Sequence, residues 1–241
     1  MATKITEKVT INAAGKDVVI DGVDFTDNGY VEVHNATSIT IRNCRVYDMN
    51  VEGATKNYWL RIYGDIITKL VISGCFFGES IGTIGNMYNL LEPTAKLADG
   101  SSISGNYFED GCCTHNTINI YGADENANIY VNGNHFEVSA GTIRIGVKGE
   151  PTCYVHLNNN HVDADNPNEP DDYQGIMMIQ PYGKATTTFA NMTINMNNNH
   201  SANEQVVYAY SGANDTMLDD TTMPTILLDG TDITDDVVIY H

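Results

Sequence analysis

Three histidines stand at one recurring position. His135, His161 and His200 each follow an asparagine, in GNHFEV, NNHVDA and NNHSAN. Neutral imidazoles brought together at one structural position could hold a divalent metal. No carboxylate stands out in the sequence as a further ligand, so the default is a surface or inter-subunit strip, and no metal or other cofactor is assigned. Acidic clusters lie at Asp163–Asp165, Glu169–Asp172, Asp219–Asp220 and Asp235–Asp236. Solvated turns are the ordinary reading for these. The alternating pair Asp163 and Asp165 could chelate calcium in a loop. Tyr121, Tyr130, Tyr154, Tyr182 and Tyr210 are candidates for exposed rings on which sugars could stack. None of these groups makes a catalytic set, and no catalytic residue is assigned.

Composition narrows the partners. Twelve Lys and Arg stand against 31 Asp and Glu, a formal charge of −19. A surface that binds phosphates needs a cation for each contact, so neither nucleic acid nor an anionic membrane is an expected partner. The first residues, MATKITEKVTINAAGKDVVIDG, hold no apolar run of signal-peptide length, and no stretch is long enough to span a bilayer. Synthesis in a cytoplasm is therefore expected. Without a secretory signal, the sequons at Asn35, Asn191, Asn199 and Asn214 carry no weight. The five cysteines (Cys44, Cys75, Cys112, Cys113 and Cys153) are odd in number and lack a metal-type spacing. Reduced, buried thiols are expected.

The elements that position these residues follow from an internal repeat. The segments VVIDGVDF (18–25), TIRNCRV (40–46), LVISGCFF (70–77), SSISGNYF (101–108), IYVNGNHF (129–136), VHLNNNHV (155–162), INMNNNHS (194–201) and ILLDGTDI (226–233) superimpose. One column reads Ile20, Ile41, Ile72, Ile103, Val131, Leu157, Met196, Leu228, and a later one Phe25, Val46, Phe77, Phe108, Phe136, Val162, Ser201, Ile233. Between them a Gly or Asn recurs, which tolerates the positive φ of a left-handed bend. Apolar and polar residues alternate, so the units are strands. Their variable spacing is that of a solenoid. Second strands follow in most units, as in YVEV (30–33), WLRIY (59–63) and TINIY (117–121).

Stacked rungs rise about 4.8 Å each, so equivalent residues should lie above one another. Asn106, Asn134, Asn160 and Asn199 would then form an internal amide ladder, since a buried Asn without partners is costly. Cys44 and Cys75 would share its column as small hydrophobes, slow to react while the chain is folded. Tyr107 would precede the three histidines on the outward side.

These corner, asparagine and aliphatic columns resemble the pectate-lyase-like family of right-handed parallel β-helices over roughly residues 15–240. The resemblance implies an all-β fold: a single-stranded right-handed parallel β-helix, or solenoid, of about eight rungs over residues 18–241. Residues 1–17 would be an N-terminal cap or anchoring segment, with flanking loops at 80–100, 163–175 and 211–224. Enzymes of the family cut polysaccharides from an outward strand face. Here the outward column of the second strands reads Glu32, Arg61, Asn119, Arg144, Met178, Tyr208 and Val238. It holds no carboxylate pair, and Glu32 with Arg61 is expected to be a surface ion pair. The family likeness extends to phage spikes, head fibres and capsid decoration proteins. The expected function is accordingly a structural protein of a virus particle, a rigid rod on the virion surface made in the host cytoplasm. The alternative is a glycan-binding or polysaccharide-degrading spike. Expected partners are two further copies in a homotrimer and a capsid or appendage protein, with a host glycan in the alternative. The apolar run Val237, Val238, Ile239 is the expected assembly contact.

Overall fold

The computed structural model describes residues 2–50, 58–78, 80–81, 89–93, 95–112, 116–139, 143–145, 151–165, 176–179, 189–202, 207–210, 222–237 and 239–240. Among these the protein is nearly all β, in three nine-stranded sheets. The first sheet stacks Thr3–Ile5, Val23–Asp27, Arg45–Asn50, Phe76–Phe77, Tyr107–Phe108, His135–Ser139, His161–Asp165 and His200–Ser201, with Ser80–Ile81 beside Arg45–Asn50. The second stacks Val9–Asn12, Val31–His34, Leu60–Tyr63, Asn89–Pro93, Asn116–Ile120, Ile143–Ile145, Met177–Ile179, Val207–Tyr210 and Ile239–Tyr240. The third runs from Asp17–Asp21 through Ser38–Arg42, Lys69–Ser73, Ser101–Ser104, Asn128–Asn132, Cys153–Asn158 and Met192–Asn197 to Thr225–Leu228 and Thr231–Asp232.

Alternation creates these strands. Asp17–Asp21 buries Val18 and Ile20 and exposes the residues between them. Asn128–Asn132 buries Ile129 and Val131 in the same way. All the pairings but that of Leu227–Leu228 with Thr231–Asp232 are parallel, and they join one residue of each unit to its counterpart in the next. Ile20 faces Ile41, Ile41 faces Ile72, and the column continues through Ile103, Val131, Leu157 and Met196 to Leu228. Phe77, Phe108 and Phe136 stack with ring centroids 4.8 and 4.7 Å apart, and Trp59 packs edge-on between Phe25 and Phe77. Between the third and first sheets the bend falls on Gly22, Asn43, Gly74, Gly105, Gly133, Asn159 and Asn198, all at positive φ.

The amide ladder sits just inside this bend. Asn106 Nδ2 donates to Asn134 Oδ1 (3.0 Å), Asn134 Nδ2 to Asn160 Oδ1 (3.1 Å) and Asn160 Nδ2 to Asn199 Oδ1 (3.1 Å). Each Oδ1 also accepts a backbone N–H from the unit before it, beginning with Cys75 N–H on Asn106. Each Nδ2 donates a second time, to the carbonyl of Ile72, Ile103, Val131 or Leu157. Asn106, Asn134 and Asn160 are buried, and Asn199 is half-buried.

Several expectations change. Residues 1–17 hold strands Thr3–Ile5 and Val9–Asn12, which pair in parallel with Val23–Phe25 and Val31–His34, so they are part of the stack. The range 80–100 supplies Asn89–Pro93, a strand of the second sheet between Leu60–Tyr63 and Asn116–Ile120. The stretch 163–165 continues a strand; residues 166–175 and 211–221 lie outside the described residues. The eighth unit does not rejoin the first sheet. Asp229 and Gly230 take φ of 47 and 81°, and Thr231–Asp232 folds back antiparallel on Leu227–Leu228. Two successive positive φ values form the tight hairpin turn that Asp-Gly favours. Ile233 is thereby kept out of the Phe column.

Candidate functional site

The outer face of the first sheet gathers the groups with chemistry. Successive strands place Phe76, Tyr107, His135, His161 and His200 in one column. Their ring centroids are 5.8, 4.8, 5.2 and 4.5 Å apart in order. Two residues further along each strand, on the same face, stand Glu109, Glu137 and Asp163. A ring column therefore runs beside a carboxylate column.

The two columns are bonded together. Asp163 Oδ2 accepts from His135 Nε2 at 2.8 Å, and its Oδ1 accepts from His161 Nε2 at 2.9 Å. A carboxylate only accepts, so both Nε2 atoms carry the proton. The bond from His135 holds the Asp163 carboxyl below its usual range. Glu137 Oε1 accepts from the Tyr107 hydroxyl, and Oε2 from the Asp110 N–H at 3.0 Å. The bond to Glu137 pushes the Tyr107 phenol up to about 12 and, in return, keeps the Glu137 carboxyl low. Asp163, expected in a loop as a calcium-type carboxylate, is instead the strand partner of two histidines. Its signal is the period of two: His161 and Asp163 must share a face of one strand.

On the inner side of this face a groove of about 600 Å³ follows the bend. Gly74, Gly105, Gly133, Phe76, Tyr107 and His135 line it, together with Arg45, Cys44 and Cys75.

The arrangement favours proton exchange over ring stacking on a ligand. Rings stacked within the column cover one another's faces and turn their edges outward, so they offer no platform for a sugar. Among the described residues, no group of three His, Cys, Asp or Glu side chains is set to hold a metal ion.

The tyrosines are scattered. Tyr121 is buried, at 3% exposure, with the Arg144 guanidinium 5.7 Å from its ring, which corrects its place among exposed rings. Tyr130 stacks on His156 at 4.8 Å on the third sheet, and Tyr154 is exposed on the same sheet. Tyr182 and the side chain of Tyr210 lie outside the described residues.

The column expected to face solvent on the second sheet is buried at Glu32 and Asn119 and half-buried at Arg61 and Arg144. Glu32 and Asn119 are 7% and 0% exposed. Glu32 accepts from Tyr58 at 2.6 Å and pairs with Lys8 at 2.5 Å, and Arg61 lies over the rings of Tyr58 and Tyr63. Glu32, expected on the surface, is instead buried, in a network with Tyr58 and the exposed Lys8. Burial first, and then the bond to Glu32, hold the Tyr58 phenol far above its ordinary range. Val237 and Ile239 are half-buried and pack on the core, and Ile239–Tyr240 pairs with Ala209–Tyr210. Val238 lies outside the described residues.

No protein-family model, curated protein or solved structure matches this chain.

Proposed function

We propose that the three sheets are the walls of one right-handed parallel β-helix, coiling from Thr3 to Tyr240, and that this rod is a structural element of a virus particle. The observation that carries the reading is the unbroken register of the column from Ile20 to Leu228. Each unit is bonded to the next by backbone pairing, and the central ones also by the amide ladder and stacked rings, so bending costs contacts in several walls at once. Such a rod suits a stiff spacer. The resemblance to phage spikes, head fibres and capsid decorations supports the reading of a virion-surface protein, a homotrimer docked on a capsid or appendage protein. Mass spectrometry of purified particles from cells carrying this sequence tests the reading. Stoichiometric amounts in the particle are expected, and recovery only as free protein would overturn it.

A second reading is favoured by the bond network of the first sheet. Glu137 and Asp163 stand on adjacent rungs, about 4.8 Å apart along the stack, beside protonated imidazole nitrogens. Glycosidases work through a pair of carboxyl groups, one of them protonated to act as the acid. Release of reducing ends from a host polysaccharide, lost in Glu137→Gln and in Asp163→Asn, would establish this reading. Absence of release from a panel of capsular and cell-wall polysaccharides would leave the structural one standing.

A further inference from the structure

Cys44 and Cys75 meet in the lining of the groove. The register places them directly over one another, because Arg42 faces Ser73 on one side and Arg45 faces Phe76 on the other. The Phe76 N–H closes this pairing on the Cys44 carbonyl at 3.0 Å. Stacked neighbours in parallel strands have Cα atoms about 4.8 Å apart, within the range that a disulfide spans. Both thiols are free and nearly fully buried, at 1 and 3% exposure, yet both line the groove together with Arg45.

The two sulfurs are unequal. Each thiol donates to backbone carbonyls, Cys44 to Arg42 at 3.3 Å and Cys75 to Ser73 at 3.5 Å. The neighbouring Cys75 draws the Cys44 thiol down to about 7, and the same neighbourhood, with burial, pushes the Cys75 thiol up. Thiolates are the attacking species in exchange, and an optimal attacker ionises near ambient pH.

We propose that Cys44 and Cys75 form a reversible dithiol–disulfide couple, closed by exchange with a low-molecular-weight disulfide entering the groove. The Cys44 thiolate attacks one sulfur of the incoming disulfide. A mixed disulfide forms, and one small thiolate leaves and takes up the proton that Cys44 had released. Cys75 loses its proton and attacks the Cys44 sulfur, closing the bridge and expelling the second small thiol. The two protein thiols are oxidised by two electrons, and the small disulfide is reduced to two thiols. Cys44 is the nucleophile and Cys75 the resolving thiol. This couple is independent of either functional reading.

The folded full-length protein, incubated with the neutral disulfide of mercaptoethanol and quenched with acid, tests the proposal by intact mass and peptide mapping. Wild type should lose two hydrogens, map to a Cys44–Cys75 bridge and regain them with dithiothreitol. Cys75→Ser should stop at a stable mercaptoethanol adduct on Cys44, and Cys44→Ser should leave Cys75 unmodified. Wild-type mapping alone decides the matter if either variant fails to fold. Unchanged mass, a bridge to another cysteine, or closure only in denaturant would overturn it.

Discussion

The Asn134 amide and the Asn160 side-chain oxygen are joined twice: Oδ1 of Asn160 accepts both the side-chain Nδ2 and the backbone N–H of Asn134, each at 3.1 Å. Asn160→Leu keeps the branched shape but removes the one oxygen that accepts both bonds, and it takes away the donor that Asn160 Nδ2 gives the Val131 carbonyl. A buried unpaired group costs about 1–3 kcal/mol, so a loss of about 3 kcal/mol in unfolding free energy is expected. Urea denaturation with an unchanged m-value checks it. A loss under about 0.5 kcal/mol would show that the amide is not held in this ladder.

Much of this stack was readable from residue types, because a parallel stack repeats one chemical requirement on every rung. A buried amide needs another above it, so Asn106, Asn134 and Asn160 announce their register. The places that were misread share a different cause. Asp163 and Asp165 looked like a turn because Asp is rare in strands, yet a strand open to solvent on one face accepts it when an imidazole stands beside it. Asn89–Pro93 carries no repeat motif and has a proline, so only its neighbours in the second sheet reveal it as a strand. The burial of Tyr121 is not legible in the sequence, because burial depends on what covers a face, which alternation within one strand does not record. Asp229–Gly230 held a hairpin signal, but alignment with seven bends that continue the stack concealed it.

The bend residues separate backbone strain from packing. Gly133 has φ of 63°, and a Cβ there would meet no atom within 4 Å. Asn stands at the equivalent positions 43, 159 and 198, all at positive φ. Gly133→Asn should therefore change stability by less than about 0.5 kcal/mol, whereas Gly133→Val should cost about 1–2 kcal/mol from the left-handed conformation alone. Equal effects of the two variants in thermal or urea unfolding would refute this.

Asp163 links stability to pH. Its folded carboxyl lies below the ordinary value because it is bonded to His135. A depressed acid stabilises the fold above its unfolded pKa, and that contribution is lost as pH falls through the folded value. The wild type should thus exceed Asp163→Asn in stability near neutral pH, and the gap should close as pH falls below about 4. Urea midpoints of both proteins across that range test the sign. A gap that widens on acidification would mean that Asp163 is not held by the imidazoles.

The last edge of the third sheet is closed by its own hairpin, and this closure should control self-association. Thr231–Asp232 lies antiparallel along Leu227–Leu228, covering the side of that strand that faces away from Met192–Asn197. Three bonds fix the cover. The Ile233 N–H donates to the Ile226 carbonyl (2.9 Å), the Ile226 N–H to Thr234 Oγ1 (3.0 Å), and the Thr234 hydroxyl to Asp232 (2.6 Å). Thr234→Val keeps the shape and removes the acceptor for Ile226, while Gly230→Val opposes the turn through its positive φ. Either change frees a strand edge whose Ile226 is fully buried and whose Leu228 packs on the core. Unpaired edges of that kind pair with other chains. Both variants should therefore scatter light more strongly with rising concentration than wild type under the same conditions, and the double variant most of all. Equal scattering by all three variants and wild type, with near-wild-type stability, would show that the hairpin does not guard this edge.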